Sequence, residues 1–144
     1  MPEKTYAIDS SLAAIGELAK ELQKRYGDEP LSLLRPILRE YGFHAGSRLR
    51  KNMEDKSFPD RVEAWMTPLI RKGLAGVVEK GPEHIRITGT DCPLNLEGTN
   101  RALCEACMGI DEGVIAALGG CEVTLSIEKS LACGDECCQV LYGL

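Results

Sequence analysis

Apolar positions recur every three to four residues through the first half of the chain. In residues 9–26, Leu12, Ile15, Leu18, Ala19, Leu22 and Tyr26 form a helical stripe. Asp9 or Ser10 can cap its start and Gly27 can end it. Residues 31–53 repeat the pattern with Leu33, Leu34, Ile37, Leu38, Tyr41, Ala45 and Leu49. Pro36 is compatible with this second helix if it begins near 33–35. Gly42 and Gly46 lie one turn apart, so another element or a ligand can approach closely; helix packing is the simpler reading. In residues 59–72, Val62, Trp65, Met66, Leu69 and Ile70 share one side. Pro59 suits the first turn, and Pro68 predicts a kink or a fresh start.

The period then shortens. Residues 73–81 and 83–89 are short, β-branched and alternating, with Gly81-Pro82 as the turn between them. Residues 96–120 return to helical spacing and stop at Gly119-Gly120. Residues 121–129 alternate strictly, with Cys121, Val123, Leu125 and Ile127 on one face. Residues 138–143 make a last strand, joined to it by a tight turn. The order is α-α-α-β-β-α-β-β. Two hairpins separated by a helix predict an α+β fold, with the helices packed on one face of a four-stranded antiparallel sheet.

The chain has 144 residues, which suits a single domain, 1–144. Aromatic residues are only 5% of it, so aliphatic side chains must fill the core. A net charge of −5 and no recognition motif argue against direct nucleic-acid binding. No apolar run is long enough for a membrane span, and no signal-peptide core opens the chain. These features point to a cytoplasmic protein whose thiols stay reduced.

Seven cysteines are present, and three of them fall within residues 133–138. An odd number does not suit a pure disulfide framework. Cys104 and Cys107, three apart on a predicted helix, share a face. Cys133, Cys137 and Cys138 surround a predicted turn. A helix and a hairpin packed together can supply the four ligands of a soft metal site. Cys104 and Cys138 are its expected anchors, completed from Cys107, Cys133, Cys137, Cys92 or Glu128. Zinc or an iron–sulfur cluster matches such donors. Reduced core cysteines are the alternative, and Cys121 is expected to be one.

The stretch from Leu103 to Gly143 resembles the 4-vinyl reductase domain, also described as a predicted hydrocarbon-binding domain. Its relatives include the sensor domains of phenol- and toluene-responsive transcription activators. It is also similar to 2-amino-thiazoline-4-carboxylate hydrolase-like proteins. The resemblance rests on Cys104 followed by Gly109 and Gly113, then Gly134-Asp135 and Cys138. "YGFHAGSRL" (41–49) and "RKGLAGVVEKG" (71–81) extend it upstream, so it spans 35–143 and leaves 1–34 as an N-terminal helical extension. It implies a helix-lined apolar cavity over the sheet, a structural metal near the cavity mouth and a homodimer. By spacing, the family's middle cysteine falls on Ser130, and its acidic ligand falls nearest Glu128.

Three functions follow. The first is binding or sensing of a small apolar or aromatic ligand, with Phe43, His44, Trp65 and Met66 as pocket residues. The second is a small hydrolase whose nucleophile is a thiol or metal-bound water, Cys92 in its loop being the candidate. The third is an iron–sulfur or haem-type cofactor protein. The metal set is Cys104, Cys107, Glu128, Cys133 and Cys138, with zinc expected.

Overall fold

A computed structural model describes residues 8–120 and 122–144. The elements are α1 (Ser11–Tyr26), α2 (Glu29–Arg50), α3 (Phe58–Arg71), β1 (Ala75–Lys80), β2 (His84–Gly89), α4 (Arg101–Cys107), α5 (Gly109–Gly119), β3 (Thr124–Lys129) and β4 (Cys138–Gly143). The strands form one antiparallel sheet in the order β1-β2-β4-β3. The two predicted hairpins are therefore joined edge to edge by β2 and β4, and the expected α+β architecture is present. Among the described residues no helix is long and apolar enough to cross a membrane.

The starts of α1, α3 and α4 follow capping chemistry. Ser10 accepts a hydrogen bond from Ala13 N at 3.1 Å, Ser57 from Asp60 N at 3.4 Å, and Asn100 from Leu103 N at 3.1 Å. Gly27 ends α1 and Gly120 ends α5, both with positive φ.

Pro36 and Pro68 fall inside α2 and α3 rather than at helix starts. Both are exposed, so each missing N–H costs a hydrogen bond on the solvent side, and neither helix is broken.

The predicted helix over 96–120 is two helices. Residues 96–99 lie outside it, Asn100 caps α4, and the chain breaks at Met108 before α5. Because α5 is packed on several sides, its apolar pattern runs on without a polar face to mark the join.

The apolar stripes are placed differently from the prediction. On α2, Leu33, Ile37 and Tyr41 are exposed, whereas Leu31, Leu38, Gly42 and Gly46 are buried. On α1, Leu18 and Tyr26 are exposed, and Ala13, Gly16 and Ala19 face inward. Small residues make the closest seams. A Cβ added at Gly46 would lie 2.6 Å from Val114 O, and one at Gly109 would lie 2.6 Å from Arg35 O. Gly42 and Gly113 allow equally close backbone approach between α2 and α5.

One face of the sheet carries the core, with Ile85, Ile87, Val140 and Tyr142 buried against α5 and α3. The other face is polar. Arg86 binds Glu128 at 2.7 Å and Glu79 at 2.8 Å. Strand β3 begins at Thr124, and Cys121, expected in the core, lies outside the described residues. The turn before β4 contains a short 3-10 segment, Leu131–Cys133, closed by Gly134 at φ 87°.

Candidate functional site

Between the helices and the sheet lies a cavity of about 500 Å³. Small-molecule sites usually span roughly 300–1,000 Å³. Strand alternation turns Ile87, Val140 and Tyr142 inward, and α3 contributes Trp65 and Met66 at helical spacing. Trp65 meets Tyr142 edge to face, with ring centres 6.2 Å apart and planes at 77°. Ile110 and Val114 of α5 also line it, as do Tyr41 and Leu12.

One carboxylate is built into this apolar wall. Asp111, in the first turn of α5, lines the cavity and accepts a hydrogen bond from Tyr142 Oη at 2.9 Å. Burial pushes the Asp111 carboxyl up to about 6, against the opposing pull of the Tyr142 hydrogen bond. Burial also holds the Tyr142 hydroxyl well above its usual range, with the Asp111 carboxylate adding to the effect. Tyr142 is therefore the donor of the pair. Sequence reasoning passed over both residues. The available signal was an acid within the otherwise apolar "GIDEGVIAAL", two strand positions' worth of alternation from Val140 to Tyr142, and nothing that links them in sequence.

Thiols from three segments line the same cavity: Cys92 from the loop after β2, Cys104 and Cys107 from α4, and Cys138 from β4. Ser130, almost wholly buried, donates to Cys104 Sγ at 3.2 Å, and Leu131 N donates to Cys138 Sγ at 3.4 Å. Asp135 holds the Ser130 N–H at 2.8 Å and so fixes this corner. Burial pushes Cys107 up to about 12 and Cys138 up to about 11, and raises Cys92 and Cys104 as well. Neighbouring thiols add to these shifts. At neutral pH and with no metal bound, these are protonated thiols and poor nucleophiles.

The five residues expected to hold a metal are not brought together. Glu128 is on the outer face of the sheet, held by Arg86 at 2.7 Å and by Gln139 at 3.1 Å. It faces away because strand alternation turns Ile127 toward the cavity. Cys133 is exposed on the turn. Cys104, Cys107 and Cys138 do line the cavity. Among the described residues, no three His, Cys, Asp or Glu side chains converge closely enough to hold a metal ion. Ser130 stands where the resemblance places a further thiolate.

The pocket residues also divide. Trp65 and Met66 line the cavity, but Phe43 and His44 are exposed on the outside of α2 and pack against each other. Cys92 is half-buried rather than displayed on its loop, and its N–H donates to Glu97 at 3.1 Å.

The protein family described as L-2-amino-thiazoline-4-carboxylic acid hydrolase matches residues 9–142. No curated protein matches the chain. Among solved structures, the phenol-responsive sensory domain of the transcription activator PoxR with phenol is similar at 20% identity. That match covers 96% of this chain and 77% of the other, with a TM-score of 0.65. A trafficking protein particle complex subunit 3 from Naegleria fowleri, covalently bound to palmitic acid, is similar at 18% identity. It covers 92% of both chains with a TM-score of 0.62. These likenesses establish a shared fold.

Proposed function

The chain belongs to the L-2-amino-thiazoline-4-carboxylic acid hydrolase family, and from that premise we propose that it is a small-molecule binding domain whose ligand is mostly apolar. The observation that carries this reading is the cavity of about 500 Å³ walled by Trp65, Met66, Ile87, Ile110 and Val140. A volume of that size emptied inside a small core forfeits packing, and an occupant restores it. The PoxR sensory domain and the palmitate-bound subunit share the fold and, by their descriptions, each holds a molecule with a large apolar part.

Trp65 is the only tryptophan in the chain and lines the cavity, so its fluorescence reports directly on occupancy. Titration with methylcyclohexane, which does not absorb in the relevant range, gives a saturable change at one site per chain. A response that grows linearly without saturating overturns the reading.

The family's description supports a second reading, a hydrolase. Asp111 is the group suited to it. A carboxyl titrating near 6 can accept a proton from water at neutral pH. The cavity thiols are less suited, because burial keeps them protonated. Hydrolysis of 2-amino-thiazoline-4-carboxylate by the wild type, lost in Asp111→Asn and retained in Cys92→Ser, supports this reading. Loss in Cys92→Ser with retention in Asp111→Asn assigns the chemistry to the thiol.

A further inference from the structure

We infer that the cavity receives a small carboxylic acid in its uncharged form, the acid O–H donating to Oδ1 of Asp111, so that binding takes up a proton from solvent. The inference rests on the binding reading. The family's description already contains a carboxylic acid. What is added is the ionisation state in which such a ligand is held, and the residue that sets it.

Hydrogen-bond capacity decides the form of the ligand. An ionised carboxylate only accepts, whereas a carboxylic acid also donates. The buried and half-buried hydroxyls that line the cavity are spent. Tyr142 Oη donates to Asp111 Oδ2 at 2.9 Å, Ser130 to Cys104 Sγ at 3.2 Å, and Thr88 to Cys138 O at 3.1 Å. Trp65 adds one indole N–H, a neutral donor that cannot balance a charge. Oδ1 of Asp111 receives no hydrogen bond from any described residue. It is not sealed off either: among the described residues, the buried side-chain oxygen or nitrogen without a partner is Glu97 Oε2. Asp111 lines the cavity, so Oδ1 is an open acceptor for a donor that enters there.

Charge points the same way. Lys129 is the one cation among the described lining residues. It is exposed, and its cross-strand partner is Gln139, whose side chain reaches Glu128 on the outer face at 3.1 Å. Cross-strand partners share a face, so the Lys129 ammonium is turned away from the interior. The other titratable groups around Asp111 bring no positive charge. They are Tyr142 from β4, Tyr41 from α2, Asp91 from the loop after β2 and the four thiols. Glu112, its neighbour on α5, is engaged by Arg35 of α2. No titratable side chain of α1, α3, β1 or β2 lines the cavity.

Two carboxyls in contact in a dry site cannot both stay ionised, so they hold a proton between them. Burial already pushes the Asp111 carboxyl up to about 6, which makes it a ready partner. A free aliphatic acid titrates at about 4–5. Above about pH 6 the two groups are therefore ionised when apart, and the pair gains a proton on binding. Affinity falls about tenfold per pH unit in that range and levels off below it. The apolar wall of Trp65, Met66 and Val140 receives the rest of the ligand.

The test titrates cyclohexanecarboxylate and methylcyclohexane into wild-type protein from pH 6.5 to pH 8.5, with Trp65 fluorescence reading affinity. Calorimetry in two buffers of different ionisation heat counts the protons. The acid is expected to take up about one proton per site and to lose about tenfold in affinity per pH unit. Methylcyclohexane has no acid O–H and is expected to lose less than about twofold per unit. In Asp111→Asn, whose amide offers an N–H to an ionised ligand, proton uptake is expected to vanish while methylcyclohexane still binds and circular dichroism confirms the fold. Absence of proton uptake in wild type, or uptake that persists unchanged in Asp111→Asn, overturns the inference and leaves the binding reading intact. Binding of methylcyclohexane without binding of the acid at pH 6.5 does the same. If neither compound binds, both fall.

Discussion

Tyr142 Oη and Asp111 Oδ2 lie 2.9 Å apart, and their hydrogen bond ties the last strand of the sheet to the first turn of the central helix. Replacing Tyr142 with Phe keeps the ring that packs against Trp65 and deletes only the donor. Asp111 is then left in an apolar wall with no protein partner. Leaving a buried acceptor unsatisfied costs about 1–3 kcal/mol. Urea titration at pH 8 is expected to show that loss for Tyr142→Phe. At pH 4.5, where the carboxyl is protonated, the loss is expected to shrink. An equal loss at both pH values would mean that the hydroxyl matters through packing alone.

The same carboxyl makes stability depend on pH in the direction opposite to most aspartates. Its folded value is pushed up to about 6 by burial, whereas an unfolded aspartate titrates near 4. The folded state therefore binds this proton more tightly. The contribution is complete below about pH 4 and is lost as pH rises through about 6, with a ceiling of about 3 kcal/mol. Asp111→Asn removes the dependence. The stability of the Asn variant relative to wild type is expected to rise between pH 4.5 and pH 8 by about 1–3 kcal/mol. A constant difference across that range would show that Asp111 titrates as an ordinary exposed acid.

The seam between α2 and α5 depends on the absence of side chains. Any Cβ at Gly113 collides with the backbone of Arg39 and sits 2.6 Å from Phe43 N. Helix backbones on both sides would have to separate, so Gly113→Ala is expected to cost about 3 kcal/mol or more. Gly134 supplies the contrast. Nothing lies within 4 Å of its added Cβ, but its φ is 87°. Gly134→Ala is expected to lose only the left-handed penalty of about 1–2 kcal/mol. Thermal melts of the two variants separate close approach from backbone strain, and similar shifts would remove the seam argument.

These seams explain what the sequence could and could not show. The alternation through Leu125 and Ile127, and the caps at Ser10 and Gly27, were legible because each depends on neighbours in sequence. The side of α2 that is buried was not, because hydrophobicity favours Leu33 and Ile37, whereas Gly42 and Gly46 win by allowing closer packing. Trp65 and Met66 were singled out by type and do line the cavity. Phe43 and His44 had the same claim by type, but one helical turn's phase leaves them outside. Asp111 and Tyr142 are 31 residues apart and meet only through the fold, so no local pattern joins them. Glu128 was placed by spacing to the cysteines, and the period-two pleat sends it to the opposite face.

Ser130 supplies the last prediction, because it occupies the position that separates a thiol-lined corner from a metal site. Its Oγ is 3.2 Å from Cys104 Sγ, and the N–H of the next residue, Leu131, reaches Cys138 Sγ at 3.4 Å. In a tetrahedral zinc–thiolate site, bonds of about 2.3 Å place the sulfurs roughly 3.8 Å apart. A thiol at position 130 would therefore stand at near-ligand separation from Cys104, with Cys138 beside the following peptide. Cys92 lines the same corner and is near enough to Cys104 and Cys138 to raise their thiols. Ser130→Cys is expected to raise zinc affinity at least about tenfold over wild type, since it adds one more thiolate beside Cys104 and Cys138 toward the four ligands a tetrahedral site needs. The readout is competition with a chromophoric zinc indicator under reducing conditions. Binding should strengthen as pH rises from 6.5 to 8, because each thiol must release a proton to bind. Equal zinc uptake by wild type and Ser130→Cys would show that the hydroxyl is not what leaves the corner incomplete. The close approach of Ser130 to Cys104 would then be a packing contact of the turn alone.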